Sequence, residues 1–200
     1  MSSTTASEIT AKKLYCTFAE TRPMSKNDFT KCCMTRFPAP VLAQPAKPID
    51  DIDESIRTLA GTMIDIMLQS KGIGLAGPQA GMNLRIFVVS LDGTKENAKV
   101  YINPKIETSG SFVDIEEGCL SLPGVSAKIK RFKQCSVTAT DLDGNTFTEE
   151  AEGLAARAFQ HEFDHLEGML IKDRMTTVQS IAARKIIKQL REEYNEKNET

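Results

Sequence analysis

The feature that most constrains this chain is the spacing of its only two histidines. His161 and His165 lie four residues apart in the segment Gln160-His161-Glu162-Phe163-Asp164-His165. Residues at this spacing lie one above the other on a helix, so both imidazoles can reach one metal ion. Glu162 then lies beside the ion, where a carboxylate can accept a proton from water. The segment therefore predicts a helix that carries a hydrolytic metal site.

We expect this helix to span Glu152 to His165 and to end near Gly168. One stripe of the helix is predicted to continue as a buried face, which disfavours a chance motif on a solvated helix. This stripe comprises Leu154, Ala158, His161 and His165.

The identity of the third metal ligand separates the classes of HExxH enzyme, because catalytic sites usually combine three protein ligands with one open position. A metzincin protease would need histidine at the position of Ile171. A thermolysin-like protease would use a downstream glutamate, and Glu192 and Glu193 lie in a highly charged tail that we expect to be exposed. Neither protease pattern finds a convincing third ligand.

Cysteine is the other candidate ligand type, and the chain has five, at positions 16, 32, 33, 119 and 135. The odd number, without a CxxC pair or a signal peptide, argues against a disulfide framework and for a reducing compartment. Cys135 lies in an alternating segment and is expected to fill the core. Cys119 lies in a predicted loop, although on this basis alone a buried structural thiol is expected more often than a metal ligand.

Three segments together resemble the peptide deformylases. They are Gly72-Ile73-Gly74-Leu75-Ala76-Gly77-Pro78-Gln79, Glu117-Gly118-Cys119-Leu120-Ser121 and Gln160-His161-Glu162-Phe163-Asp164-His165-Leu166. The similarity runs from about Phe37 to Met175, and the motifs occur in the family's order. Gly77 departs from the alanine that is usual in the family, but this change removes no reactive group.

The resemblance implies that Cys119, His161 and His165 hold one divalent metal ion and that Glu162 acts as the general base. Ferrous iron is the metal that the family implies. The donor set by itself would also accept zinc, nickel or cobalt.

The resemblance also assigns roles around the substrate. The Gln79 side chain and the Leu120 backbone N–H would stabilise the oxyanion, and the backbone of Ile73 and Gly74 would pair with the peptide. The implied substrate is the formylmethionine at the start of a nascent polypeptide, and its side chain would enter an apolar pocket near the motif helix. An HExxH metallopeptidase and a non-catalytic deformylase-like binding domain remain as alternatives.

The glycines of the first motif also match GxGxxG, the dinucleotide-binding pattern. That pattern requires a strand before the glycines and a helix after them. Here a helical pattern from Ile52 to Met67, with Asp50 or Asp51 as its cap, precedes them, and the strand-like segment Leu84 to Ser90 follows. A nucleotide-binding unit is therefore disfavoured.

The remaining pattern predicts an α+β fold, in which a mainly antiparallel sheet packs around the HExxH helix. An N-terminal and a C-terminal helix, the latter over about residues 177–193, complete it. Residues 1–34 lack apolar periodicity and form a leader, and residues 35–200 are expected to be one catalytic domain. The predicted strands cover residues 84–90, 100–106, 111–115, 125–130, 134–141 and 146–149.

The net charge of −2 gives no indication of nucleic-acid binding, and no apolar run indicates a membrane span. The cluster Lys128, Lys130, Arg131 and Lys133 is expected on a solvated strand face. A second hypothesis instead pairs Arg131 with Asp164 and so locks the cysteine segment to the histidine helix.

The charged C-terminal helix could contact a ribosome, but its alternation of Lys/Arg with Glu is equally consistent with a solvated helix. A bacterial-type cytoplasm is one expected location, and a plastid or mitochondrion is the other if residues 1–34 are a transit peptide. The acids Glu8, Glu20 and Asp28 argue against a transit peptide.

Overall fold

A computed structural model describes residues 32–198 of the chain. It contains one antiparallel sheet in which the strands follow each other in sequence order. The strands are β1 (Gly74–Ala76), β2 (Ile86–Val89), β3 (Lys99–Gly118), β4 (Ser126–Thr140) and β5 (Thr146–Glu152). The helices are α1 (Glu54–Gln69), α2 (Gly153–Leu166), the single turn α3 (Ile171–Arg174) and α4 (Thr177–Asn198). The predicted α+β class is confirmed.

The N-cap of helix α1 lies later in the chain than the sequence suggested. The carboxylate of Asp53 accepts hydrogen bonds from the backbone N–H groups of Ser55 and Ile56, at 2.9 and 3.1 Å. These bonds satisfy two of the unpaired donors at the helix start. Asp50 and Asp51 are therefore not the cap, and Ile52 lies before the helix.

The two longest strands each join segments that we predicted as separate. Residues 100–106 and 111–115 are parts of β3, and residues 125–130 and 134–141 contribute to β4. Gly110, which lies in a turn-like sequence, has φ of 80°, and the register shifts between Ser109 and Phe112. The glycine therefore marks a bulge within a continuous strand rather than its end.

Helix α2 packs on the sheet through Phe159. Its ring lies 5.1 Å from that of Tyr101 and 6.2 Å from that of Phe87, centroid to centroid, and all three residues are nearly inaccessible to solvent. Burial of one such aromatic side chain stabilises a fold by roughly 2 to 3 kcal/mol. This contact fixes the depth of the following two turns of α2, which carry His161 and His165.

The predicted leader lies outside the described residues except for positions 32–34. Cys33 and Met34 are buried there, and Met34 packs in the same cluster as α1. Cys33 is disulfide-bonded, although the sequence led us to expect no disulfide framework, whereas Cys119 and Cys135 are free thiols. No helix within residues 32–198 is long and apolar enough to span a membrane.

Candidate active site

Helix α2 presents the two histidines and Glu162 toward the interior. His165 and Glu162 are buried, at 1% and 4% exposure, and His161 is partly buried. The predicted stripe is confirmed at Ala158 but wrong at Leu154, which is 43% exposed. Leu154 lies in the first turn of α2, directly after the end of β5.

Three potential metal donors meet at this point: Cys119 Sγ, His161 Nε2 and His165 Nε2. Cys119 Sγ and His161 Nε2 each lie 3.3 Å from His165 Nε2, and all three donors lie within 4.8 Å of one another. Ligands around a tetrahedral ion at usual bond lengths would be separated by about 3.4 Å between two nitrogens and about 3.6 Å between nitrogen and sulfur. The donor spacing therefore fits one four-coordinate ion with a fourth position left open.

The candidates of the protease patterns do not join these donors. Ile171 is buried at the start of α3, and Glu192 and Glu193 lie on α4. Among the described residues, the donor group with the two histidines is completed by Cys119.

Glu117 and Arg131 fix the orientation of His161. Glu117 Oε2 lies 3.0 Å from His161 Nδ1, and Arg131 donates two hydrogen bonds of 3.0 Å to the Glu117 carboxylate. With Nδ1 bonded to a carboxylate, Nε2 is left to bind a metal. Sequence reasoning did not assign this role to Glu117, because nothing in its own segment reveals the distant partners.

Arg131 also donates a hydrogen bond of 2.6 Å to Asp164 Oδ2, and Asp164 accepts further bonds from Arg174. Arg131 is only 3% exposed. The predicted pairing of Arg131 with Asp164 is thus present, and the expectation that Arg131 lies on a solvated strand face was wrong. The pair of Arg131 with Asp164 connects α2 to β4, the strand that follows the Cys119 loop.

Burial and neighbouring charges change the pKa values of Glu117, Glu162 and His165. Burial alone would raise the pKa of Glu117, but hydrogen bonds from His161 and Arg131 lower it to about 2. Burial raises the pKa of Glu162 to about 7. Burial also lowers the pKa of His165 well below its usual value, which favours the neutral imidazole that can coordinate a metal.

The Glu162 side chain is held close to the first motif. A Cβ added to Gly74 would lie 2.4 Å from Glu162 Oε1, so only glycine leaves room for the carboxylate in this position. Glu162 Oε2 is buried and has no hydrogen-bond partner among the described residues. This oxygen is an acceptor available to a molecule that enters the site.

Two donor groups lie on the side of the site near Cys119. Gln79 Oε1 accepts a hydrogen bond of 2.8 Å from the Ala76 N–H, so its Nε2 is directed toward Cys119 Sγ at 3.7 Å. The backbone N–H of Leu120 has no acceptor among the loop hydrogen bonds of residues 32–198. Both groups can donate to an oxygen in the site.

A cavity of about 580 Å³ opens onto these groups. Its walls include Gly74, the first residue of the short edge strand β1, and Ile73 before it, together with the apolar side chains of Leu122, Val125 and Ala158. One side of β1 pairs with β2, so an extended peptide could pair with its other side. The cavity is large enough for a few residues of such a peptide.

Comparison with known proteins places these observations in a family. The sequence profile of the polypeptide deformylases matches residues 32–180. Peptide deformylase 1 of Clostridium perfringens is 47% identical over 135 residues, which cover 66% of this chain and 90% of that protein. Peptide deformylase of Dictyoglomus turgidum is 46% identical over 147 residues, which cover 73% and 94% of the two proteins.

A plant relative is longer. Peptide deformylase 1B, chloroplastic/mitochondrial, of Arabidopsis thaliana is 39% identical over 167 residues, which cover 82% of this chain but 61% of that protein. Among solved structures, a plant peptide deformylase 1B superposes with a TM-score of 0.81 at 36% identity, covering 90% of this chain and 97% of that one. The peptide deformylase of Plasmodium falciparum superposes with a TM-score of 0.78 at 35% identity, covering 81% of this chain and 96% of that one.

Proposed function

The chain belongs to the polypeptide deformylase family, and we propose that it removes the N-formyl group from the formylmethionine of nascent polypeptides. It is a metal-dependent hydrolase, and the products are formate and a free amino terminus. One observation carries the assignment of the site. Three donors, Cys119, His161 and His165, converge beside the buried Glu162 carboxylate, whose Oε2 has no hydrogen-bond partner within residues 32–198.

Cys119, His161 and His165 would hold the metal, and their chemistry and spacing fit it. We propose ferrous iron from the family, although the same donors suit zinc, nickel or cobalt. When bound, a divalent ion would lower the pKa of a water molecule and polarise the formyl carbonyl. Glu117 would keep His161 in the tautomer that presents Nε2.

Glu162 acts as the proton carrier. Its Oε2 accepts a proton from the water that attacks the formyl carbon and then delivers that proton to the amine nitrogen as the carbon–nitrogen bond breaks. The close approach to Gly74 holds the carboxylate in place, and no residue in the described part of the chain bonds Oε2, which leaves this oxygen available for the water.

Gln79 and Leu120 stabilise the oxyanion that forms on the former carbonyl oxygen. The Gln79 amide is fixed by the bond from Ala76 to its oxygen, so its N–H groups are oriented before substrate binds. The Leu120 N–H provides a second donor on the same side. Donors that need no rearrangement lower the barrier most, typically by about 3 kcal/mol each.

The peptide lies along the edge of the sheet. The backbone of Ile73 and Gly74 pairs with the first residues of the substrate, and the methionine side chain enters the apolar part of the cavity formed by Leu122, Val125 and Ala158. A general HExxH peptidase would instead require a longer open cleft and a different third ligand. A non-catalytic role is disfavoured because Glu162 and Gln79 retain the reactive groups.

Three further parts of the proposal concern the whole chain. Residues 35–200 form one catalytic domain, α4 is a candidate ribosome contact, and the location is a bacterial-type cytoplasm or an organelle. The chloroplastic/mitochondrial name of the plant relative supports the organellar location. Fusion of residues 1–34 to a fluorescent protein tests the targeting, and co-sedimentation with ribosomes, with and without residues 177–200, tests the contact.

The activity is tested by release of formate from formyl-Met-Ala by the metal-loaded protein. Glu162→Gln should keep the metal, because the amide is nearly isosteric and Glu162 is not among the three donors, but turnover should fall by about 10²-fold or more. Loss of the metal in this variant would move Glu162 into the coordination shell. A turnover rate like that of the unchanged protein would show that Glu162 is not the proton carrier.

A further inference from the structure

The mouth of the cavity carries two cations that the proposed chemistry does not use, Lys71 and Arg157. Arg157 lies on α2 four residues before His161, so the two side chains share one face of the helix. Lys71 also lines the cavity and lies directly before Gly72 of the first motif, on the segment that leads into β1. Neither side chain makes an ion pair within residues 32–198.

The direction of the bound peptide follows from the position of the chemistry, given the proposed function on which this inference rests. The formyl group must lie near Glu162 and Gln79. The Glu162 carboxylate lies against Gly74, and Gln79 follows Gly74 in the first motif. The peptide then has only one way to leave along the edge, past Gly72 and toward Lys71. This direction is antiparallel to β1, the geometry in which the short strand pairs with β2.

We infer that Lys71 and Arg157 make the enzyme prefer acidic side chains in the two residues that follow formylmethionine. In the bound peptide, these two residues lie where the peptide chain leaves the cavity, between the β1 edge and α2 and thus between the two cations. A carboxylate there would be attracted by both cations, and an ammonium group would be repelled.

One acid opposes this effect but does not cancel it. Glu116 also lines the mouth, where its carboxylate accepts a hydrogen bond of 3.0 Å from Ser126 Oγ. The other two acids of the lining, Glu117 and Glu162, are buried, and Glu117 is paired with Arg131. The accessible mouth therefore keeps a net positive charge from two cations and one acid. Lys71 is exposed and Arg157 is half-buried, so we expect each cation to change the substrate preference by about 2- to 5-fold and salt to weaken the effect.

The test uses three C-terminally amidated peptides, so that no terminal carboxylate contributes: formyl-Met-Asp-Asp, formyl-Met-Ala-Ala and formyl-Met-Lys-Lys. The measured quantity is the ratio of kcat/KM between the acidic and the basic peptide, at low and high salt. We expect a ratio of at least about 5 for the unchanged protein at low salt, and a smaller ratio at high salt.

The variant Lys71→Asn with Arg157→Gln should bring this ratio close to 1. Asparagine suits position 71 because Lys71 has φ of 56°, a left-handed conformation that asparagine tolerates. The double reversal Lys71→Asp with Arg157→Glu should invert the preference. Lys133→Gln removes an exposed cation that does not line the cavity and should leave the ratio unchanged.

A ratio near 1 for the unchanged protein, or a ratio that survives in Lys71→Asn with Arg157→Gln, overturns the inference and leaves the proposed function intact as long as formyl-Met-Ala-Ala is deformylated. Failure of the metal-loaded protein to release formate from that neutral peptide overturns both.

Discussion

Replacement of Arg131 by methionine should cost far more stability than its charge alone suggests. Arg131 is 3% exposed, and its partners Glu117 and Asp164 have side chains that are 4% and 6% exposed. Methionine fills similar space but leaves Glu117 with His161 as its remaining partner, whereas Asp164 keeps Arg174. Removing one member of a buried ionic network typically costs about 3 to 5 kcal/mol, because the remaining charges stay buried without compensation.

The free energy of unfolding, from urea titration followed by circular dichroism, measures this cost. Arg85→Met is the matched control, because Arg85 pairs with Glu167 at 2.7 Å and the two side chains are 20% and 36% exposed. That pair should contribute less than about 1 kcal/mol.

Arg131→Met should also weaken metal binding by about 10- to 100-fold, since Glu117 would no longer be held against His161. Competition with a chelator measures the metal affinity. An Arg131→Met protein as stable as the Arg85→Met control, with unchanged metal affinity, would refute the reasoning that this network supports the histidine helix.

The remaining predictions concern the ligands and the position of the base. Cys119→Ala should remove the metal because two histidines alone hold it weakly, and elemental analysis showing full occupancy would contradict the ligand assignment. Gly74→Ala should reduce formate release by at least about 10-fold while the metal is retained. The new Cβ would lie only 2.4 Å from Glu162 Oε1 and would therefore displace the carboxylate. Gly61→Ala is the control, since nothing lies within 4 Å of a Cβ there, and it should stabilise α1 by up to about 1 kcal/mol without changing the rate.

The sequence predicted the parts of the site that depend on local spacing. The histidines four apart require a helix, and the helix is present with both Nε2 atoms 3.3 Å from each other. Cys119 could not be assigned from its own segment, because it approaches His165 across 46 residues of chain. Only the resemblance of three segments to one family connected them.

The errors have a common origin in long-range packing. Arg131 has the sequence context of an exposed strand cation, but its partners Glu117 and Asp164 are 14 and 33 residues away in the chain. Gly110 has the context of a turn, yet β4 continues to pair with β3 on both sides of it. Propensity and periodicity describe neighbours in the chain, whereas these positions are decided by neighbours in space.

The most direct test of the account compares formyl-Met-Ala-Ser with acetyl-Met-Ala-Ser, each incubated with the metal-loaded protein and followed by mass spectrometry. In the proposed mechanism the carbonyl group fits between the metal donors, Gln79 Nε2 and the Leu120 N–H, so a methyl group in place of hydrogen should block the reaction. We predict loss of the formyl mass alone, with the acetyl peptide and all internal bonds intact. Internal fragments that disappear in Glu162→Gln would instead assign the metal site to a peptidase.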